Sequence, residues 1–194
     1  MTQEIASKLA VYAQGGSIHA KDLIDPLQSF ADQMILPYNG KSLIHASQKV
    51  RSYATQARRG QISPVDQYEM HIFLVQMLLE SAYKCRVLTP EFMVERICKR
   101  NGMSEKTRTA AFEVLKIING NEALRMKKPG TKAAAATYIA DKMTGRHHTQ
   151  KECAEEAFVD ETALRGIYHE FLKNPEFKNK AVSTVKLIQE QANE

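Results

Sequence analysis

The stretch His148–Lys173, HTQKECAEEAFVDETALRGIYHEFLK, reads as two helices joined by a tight turn. Thr149 and Glu152 have the spacing of a capping box: the hydroxyl accepts from a free amide, and the carboxylate three residues on reaches back. They open a short helix, Gln150–Ala157. Phe158-Val159 form the turn, and Asp160 caps a second helix, Glu161–Leu172. In that helix Leu164, Ile167 or Tyr168, and Phe171 make a buried stripe. Thr162, Arg165 and His169 fall on a different face, which is expected to be exposed. This is the layout of a helix-turn-helix, whose second helix enters the DNA major groove. Arg holds guanine O6 and N7 with two hydrogen bonds, and Thr offers a hydroxyl and a methyl that suits thymine. Thr162, Arg165 and His169 are therefore the candidate base-reading residues. Asp160 and Glu161 count against this, since both repel phosphate. The cap accounts for Asp160, but Glu161 fits only as an acceptor from a cytosine amino group. Two short helices at an angle also occur in all-α proteins that never meet DNA.

Working outward, nearly every segment carries helical periodicity, with little period-2 alternation. Helices are expected over Glu4–Gln14, Ala20–Leu36 (Pro26 starting or bending it) and from about Leu43 to Arg58. Ser63-Pro64 reads as a cap opening a long helix, 64–82, that is hydrophobic nearly all round and so expected to be central in a core. Thr89-Pro90 opens the next helix and Ser104 the one after, which ends at Asn119-Gly120. Lys127-Lys128-Pro129-Gly130 reads as a basic turn. A helix with Ala133-Ala134-Ala135-Ala136, Tyr138, Ile139 and Met143 follows, stopped by Gly145. Residues 178–194 read as a further amphipathic helix or tail. The fold class is all-α, with a boundary near Tyr83–Thr89.

The chain has 194 residues, 43 % hydrophobic and 25 % charged, with a net charge of +5. That composition is globular, and it is enough for one large or two small domains. No apolar run approaches the length of a membrane span. No secretory signal is seen, and three cysteines without a CxxC pair argue for a reducing, intracellular setting and against a zinc ribbon. The charge is uneven. Residues 1–83 are balanced, residues 84–151 hold 15 Lys or Arg against 6 Asp or Glu, and residues 152–194 hold 5 against 9. The central block is a candidate phosphate-binding surface or, in the plainer reading, a solvated Lys-rich face.

Several features together resemble the second cyclin-like repeat of the archaeal TFB and eukaryotic TFIIB transcription initiation factors. They are Pro90, Phe92-Met93, Arg96 and Cys98; Lys128-Pro129; Ala133 through Ala140; Gly145; Thr149 through Ala154; and Val159 through Leu164-Arg165 and Tyr168. The resemblance covers about residues 88–177. It implies a five-helix bundle around a buried third helix, Lys132–Met143, closed by the helix-turn-helix. With it the chain divides into 1–86, a helical bundle that is a possible degenerate first repeat, 87–177, the second repeat, and 178–194, the helix or tail already read from its pattern.

By the same resemblance the helix-turn-helix reads promoter DNA upstream of a TATA box. Thr162 stands where the family more often has Val, so the sequence read is expected to differ, whereas Arg165 matches. Lys127, Lys128, Lys132, Arg146 and Lys151 are the implied phosphate contacts, with His147 and His148 as additions. Double-stranded promoter DNA and TATA-binding protein are the implied partners. Polymerase recruitment is in doubt without the zinc ribbon. The implied location is cytoplasmic and nucleoid-associated in an archaeon, nuclear in a eukaryote.

No Gly-rich phosphate loop, GxSxG, HExxH or paired-carboxylate signature occurs, so neither catalysis nor a cofactor is expected. Adjacent His147-His148 point apart and no fourth ligand is near, so no metal is expected. Two readings stay open: a promoter-binding initiation factor or regulator, and a cyclin-fold protein-interaction module without sequence-specific DNA binding.

Overall fold

In the computed structural model, residues 2–63, 66–145 and 147–191 are described. Ten α-helices and two 3-10 turns account for their regular structure, and no strand occurs among them. The helices are α1 Thr2–Ala13, α2 Ile24–Gln33, α3 Gly40–Arg58, α4 Gln67–Lys84, α5 Pro90–Arg100, α6 Glu105–Gly120, α7 Pro129–Thr144, α8 Gln150–Glu156, α9 Glu161–Lys173 and α10 Pro175–Gln191. The chain divides into two compact units, Met1–Leu88 and Thr89–Glu194.

In the first unit α3 packs on α4, and α1 touches both. Asn39 caps α3 by accepting from the Ser42 amide, 2.9 Å. Asp66 caps α4, its carboxylate taking the amides of Tyr68 and Glu69 at 2.9 Å each. The expected cap at Ser63-Pro64 is therefore replaced by one three residues later; Pro64 itself lies outside the described residues. The expected all-round burial of this helix is also corrected. Met70, Leu74, Met77, Leu78 and Ala82 form one buried stripe, while Tyr68 is 73 % and Ile72 43 % exposed. With α1 and α3 packed against it, α4 has only one face to bury. Its outward apolar residues inflate the sequence pattern without belonging to the core.

In the second unit α7 is the hub, touching α5, α6, α8, α9 and α10. Every residue from Gly130 to Asp141 is buried. A helix enclosed on all sides has no polar face to show, and its small alanines let five neighbours approach closely. Pro129 sits in its first turn, where a missing N–H costs nothing, so Pro129-Gly130 belongs to the helix and not to the expected turn. Gly145, at φ +89°, closes it in the left-handed conformation that glycine adopts without strain. Buried Asp141 accepts from the His148 amide at 2.7 Å, tying the start of the helix-turn-helix to the hub. Of the two forms expected for residues 178–194, the described part, through Gln191, is helix. Phe177, Ala181 and Val185 of α10 are buried, and α10 packs on α6, α7 and α9.

Candidate nucleic-acid interface

The helix-turn-helix is built from its caps inward. Thr149 accepts from the Glu152 amide at 3.2 Å while Glu152 takes the Thr149 amide at 2.7 Å. Those bonds from the Thr149 backbone and hydroxyl hold the Glu152 carboxyl below the usual carboxylate range. Asp160 takes the Thr162 amide at 2.6 Å. The Thr162 hydroxyl, then its amide, keep the Asp160 carboxyl low as well. Between the helices Phe158 adopts φ +52°, a conformation that costs a bulky residue about 1–2 kcal/mol. The Arg96 guanidinium lies over its ring, 4.3 Å from the centroid.

Arg96 is the clamp of the site. It is 2 % exposed on α5, and its Nη1 donates to the Glu156 carbonyl at 3.2 Å and to the Glu156 carboxylate at 3.3 Å. Burial pushes its guanidinium down to about 10, so it stays charged at neutral pH. The cation therefore meets the carbonyl end of α8, where the helix dipole favours positive charge. A second fixing point is Gly130: a Cβ there would lie 2.9 Å from the Ala157 carbonyl and 3.1 Å from Val159. The start of α7 thus abuts the turn, and the Lys127-Lys128 tip lies beside it.

On α9, Leu164, Ile167 and Phe171 are buried. Thr162, Arg165 and His169 are exposed on one side of the helix. Tyr168 is half-buried, edge-on to Tyr138 at 5.0 Å. Arg165 is engaged at home: its Nη2 donates to Glu161 at 2.5 Å and its Nε to Gln150 at 3.3 Å. Glu161 is thereby explained as the partner of Arg165, a role its spacing of four residues allows.

The basic candidates separate. Lys127 and Lys128 are exposed at the tip, and no carboxylate pairs with either among the described residues. Lys151 is exposed on α8, 3.8 Å from Glu155. Lys132 is not a surface cation. It is buried, and its Nζ donates to the Arg125 carbonyl at 3.0 Å and to Asn119 at 3.3 Å, where it fastens the loop before α7. His148 is turned inward as well: Nδ1 is 3.1 Å from Asp141 and Nε2 3.2 Å from the Asn101 carbonyl. His147 is exposed. Arg146 lies outside the described residues. Arg96, Gln150 and Gly130 had no place among the sequence candidates. Arg96 was signalled by its position inside the apolar stripe Met93, Val94, Ile97 and Cys98, where a lone arginine needs a buried partner.

The second unit is thus an all-α bundle carrying a helix-turn-helix whose second helix keeps a polar face outward. Residues 84–174 match the model of the transcription factor TFIIB repeat. This segment is a TFIIB-family, cyclin-like repeat. Transcription initiation factor IIB 1 of Thermococcus kodakarensis is 36 % identical over 89 residues, 46 % of this chain and 30 % of that protein. Transcription initiation factor IIB of Archaeoglobus fulgidus is 33 % identical over 91 residues, 47 % of this chain and 28 % of that protein. Transcription initiation factor IIB 1 of Thermoplasma volcanium is 38 % identical over 80 residues, 41 % of this chain and 26 % of that protein. The chain spans less than a third of the length of these relatives. By their names they are transcription initiation factors. No helix among the described residues is long and apolar enough to cross a membrane.

Proposed function

We propose that this protein binds promoter DNA as a transcription factor of the TFB/TFIIB type. In this reading α9 lies in a major groove with Thr162, Arg165 and His169 toward base edges. Lys127, Lys128 and Lys151 meet phosphates. Arg146, named from the sequence, belongs to the same proposed set. TATA-binding protein is the proposed protein partner. The observation that carries the reading is the outward face of α9, held rigid from behind by Leu164, Ile167 and Phe171. A recognition helix needs that arrangement, because base contacts demand a fixed register.

One observation favours the second reading, a protein-interaction module. The Arg165 guanidinium already has two partners, Glu161 and Gln150. DNA must offer it a better pair of acceptors than these to win it. Guanine O6 and N7, accepting two parallel bonds, are such a pair.

An electrophoretic shift series against promoter and random duplexes, with and without TATA-binding protein, separates the two. The proposal expects retardation by this protein alone that favours some duplexes over others. Retardation only when TATA-binding protein is present, with no sequence preference added, favours the interaction module instead.

A further inference from the structure

A second concentration of positive charge lies in the first unit. Lys41, Ile44 and His45 recur at helical spacing on one face of α3, and Lys84, Cys85 and Arg86 close the end of α4 opposite them. Together they line a cavity of about 460 Å³. No carboxylate lines it. Lys41, Lys84 and Arg86 line this one hollow, the last two belonging to the basic stretch 84–151. Glu80, one turn before Lys84 on α4, is tied to Lys49, whose hydrogen bond, with the charge of Lys84 behind it, holds the carboxyl below its usual range. The carbonyl end of α4, which would repel an anion, is covered by its own chain: Ser81, Ala82 and Tyr83 carbonyls accept from the amides of Cys85, Val87 and Arg86 at 3.0, 2.8 and 3.0 Å. Lys41, in contrast, stands in the first turn of α3, at the helix end that favours negative charge.

We propose that this cavity binds a small phosphate ester. Three cations and an imidazole around a concave space match a group with several anionic oxygens, and the arginine fork suits a tetrahedral oxyanion. The volume exceeds that of a phosphate alone. The remaining space is walled by Ile44, 46 % exposed, and by the Cys85 thiol, an apolar side suited to an organic body. None of its residues is among those proposed to meet DNA, although Lys84, Cys85 and Arg86 fall inside the 84–174 segment that matches the TFIIB repeat.

Cys85 makes the site testable in the intact chain. Its Sγ is 3.8 Å from His45 Nδ1 at the cavity wall. Cys98 and Cys153 are buried, and burial pushes both thiols up to about 12, so they serve as internal controls. The experiment follows N-ethylmaleimide labelling of Cys85 by peptide mass, at fixed ionic strength, with inorganic phosphate, a nucleoside monophosphate or duplex DNA added. Bound ligand slows labelling by the factor 1 + [L]/Kd, about tenfold at ten times Kd. The expected result is saturable protection by the monophosphate, weaker protection by phosphate, and its loss in Lys41→Gln/Arg86→Gln, with far-UV circular dichroism checking that the helicity of the variant equals that of the unsubstituted protein. Protection no greater than that given by chloride, protection surviving in the double variant, or protection by duplex DNA alone would each overturn the proposal.

Discussion

Arg96 shows how one side chain sets the geometry of a surface it does not reach. Its guanidinium joins α5 to the end of α8 and supports Phe158 in its left-handed turn. Arg96→Met removes the cation and leaves the Glu156 carboxylate without it. Breaking a buried pair costs roughly 3–5 kcal/mol. Glu156 keeps 30 % exposure, so urea denaturation is expected to show a smaller loss, about 2–3 kcal/mol. An unchanged midpoint would show that the clamp is dispensable. Gly130→Ala tests the other fixing point. Alanine gains about 1 kcal/mol of helix propensity over glycine. Its Cβ would meet a backbone oxygen at 2.9 Å, which cannot rotate away. Overpacking of that kind costs about 1–3 kcal/mol, so the variant is expected to be less stable despite its better propensity. A gain in thermal stability would contradict the close approach of α7 to the turn.

At the scale of elements, α8 and α9 both start on a carboxylate held below its ordinary range, Glu152 in the box and Asp160 at the cap. The stability these groups add is complete above the unfolded carboxylate value, near pH 4, and is lost as pH falls through their lower folded values. Far-UV circular dichroism should therefore show helix loss below about pH 4 that is shallower in Asp160→Asn, whose amide caps without titrating. Superimposed acid profiles would remove Asp160 from the account. These caps are also the part of the structure that the sequence made legible. Thr89, Ser104, Thr149 and Asp160 each precede the helix expected of them, because a cap is a local bond between residues two or three apart. What local pattern cannot show is which apolar face finds a neighbour. The outward Ile72 reads like core, and the stripe of α10 reads equally as helix or tail until Phe177 and Val185 are seen buried in a helix that packs on α6, α7 and α9. The candidate site divides the same way. Helical spacing put Thr162, Arg165 and His169 on one side, but a lysine's spacing does not say whether its amine meets water or, as for Lys132, a carbonyl.

For the molecule as a whole, charge is segregated along the chain: the basic excess lies in residues 84–151 and the acidic excess after it. The proposed binding of phosphates by this stretch would make affinity salt-dependent, with each neutralised phosphate adding about 0.9 to the logarithmic slope. Lys127→Ala is expected to weaken binding to all duplexes alike and to lower that slope by about 1, measured by fluorescence anisotropy across a salt series. A slope equal to that of the unsubstituted protein would take Lys127 off the phosphates. Arg165 belongs to the opposite class: its loss should cost about 1–3 kcal/mol at one base pair while leaving the salt slope nearly intact. The most direct measurement is selection of binding sites from a random duplex pool by this protein and by Arg165→Ala in parallel. The account predicts a defined motif for the first, and the same motif with one position relaxed for the second. Identical motifs from both, or no enrichment by either, would contradict the placing of α9 in a major groove.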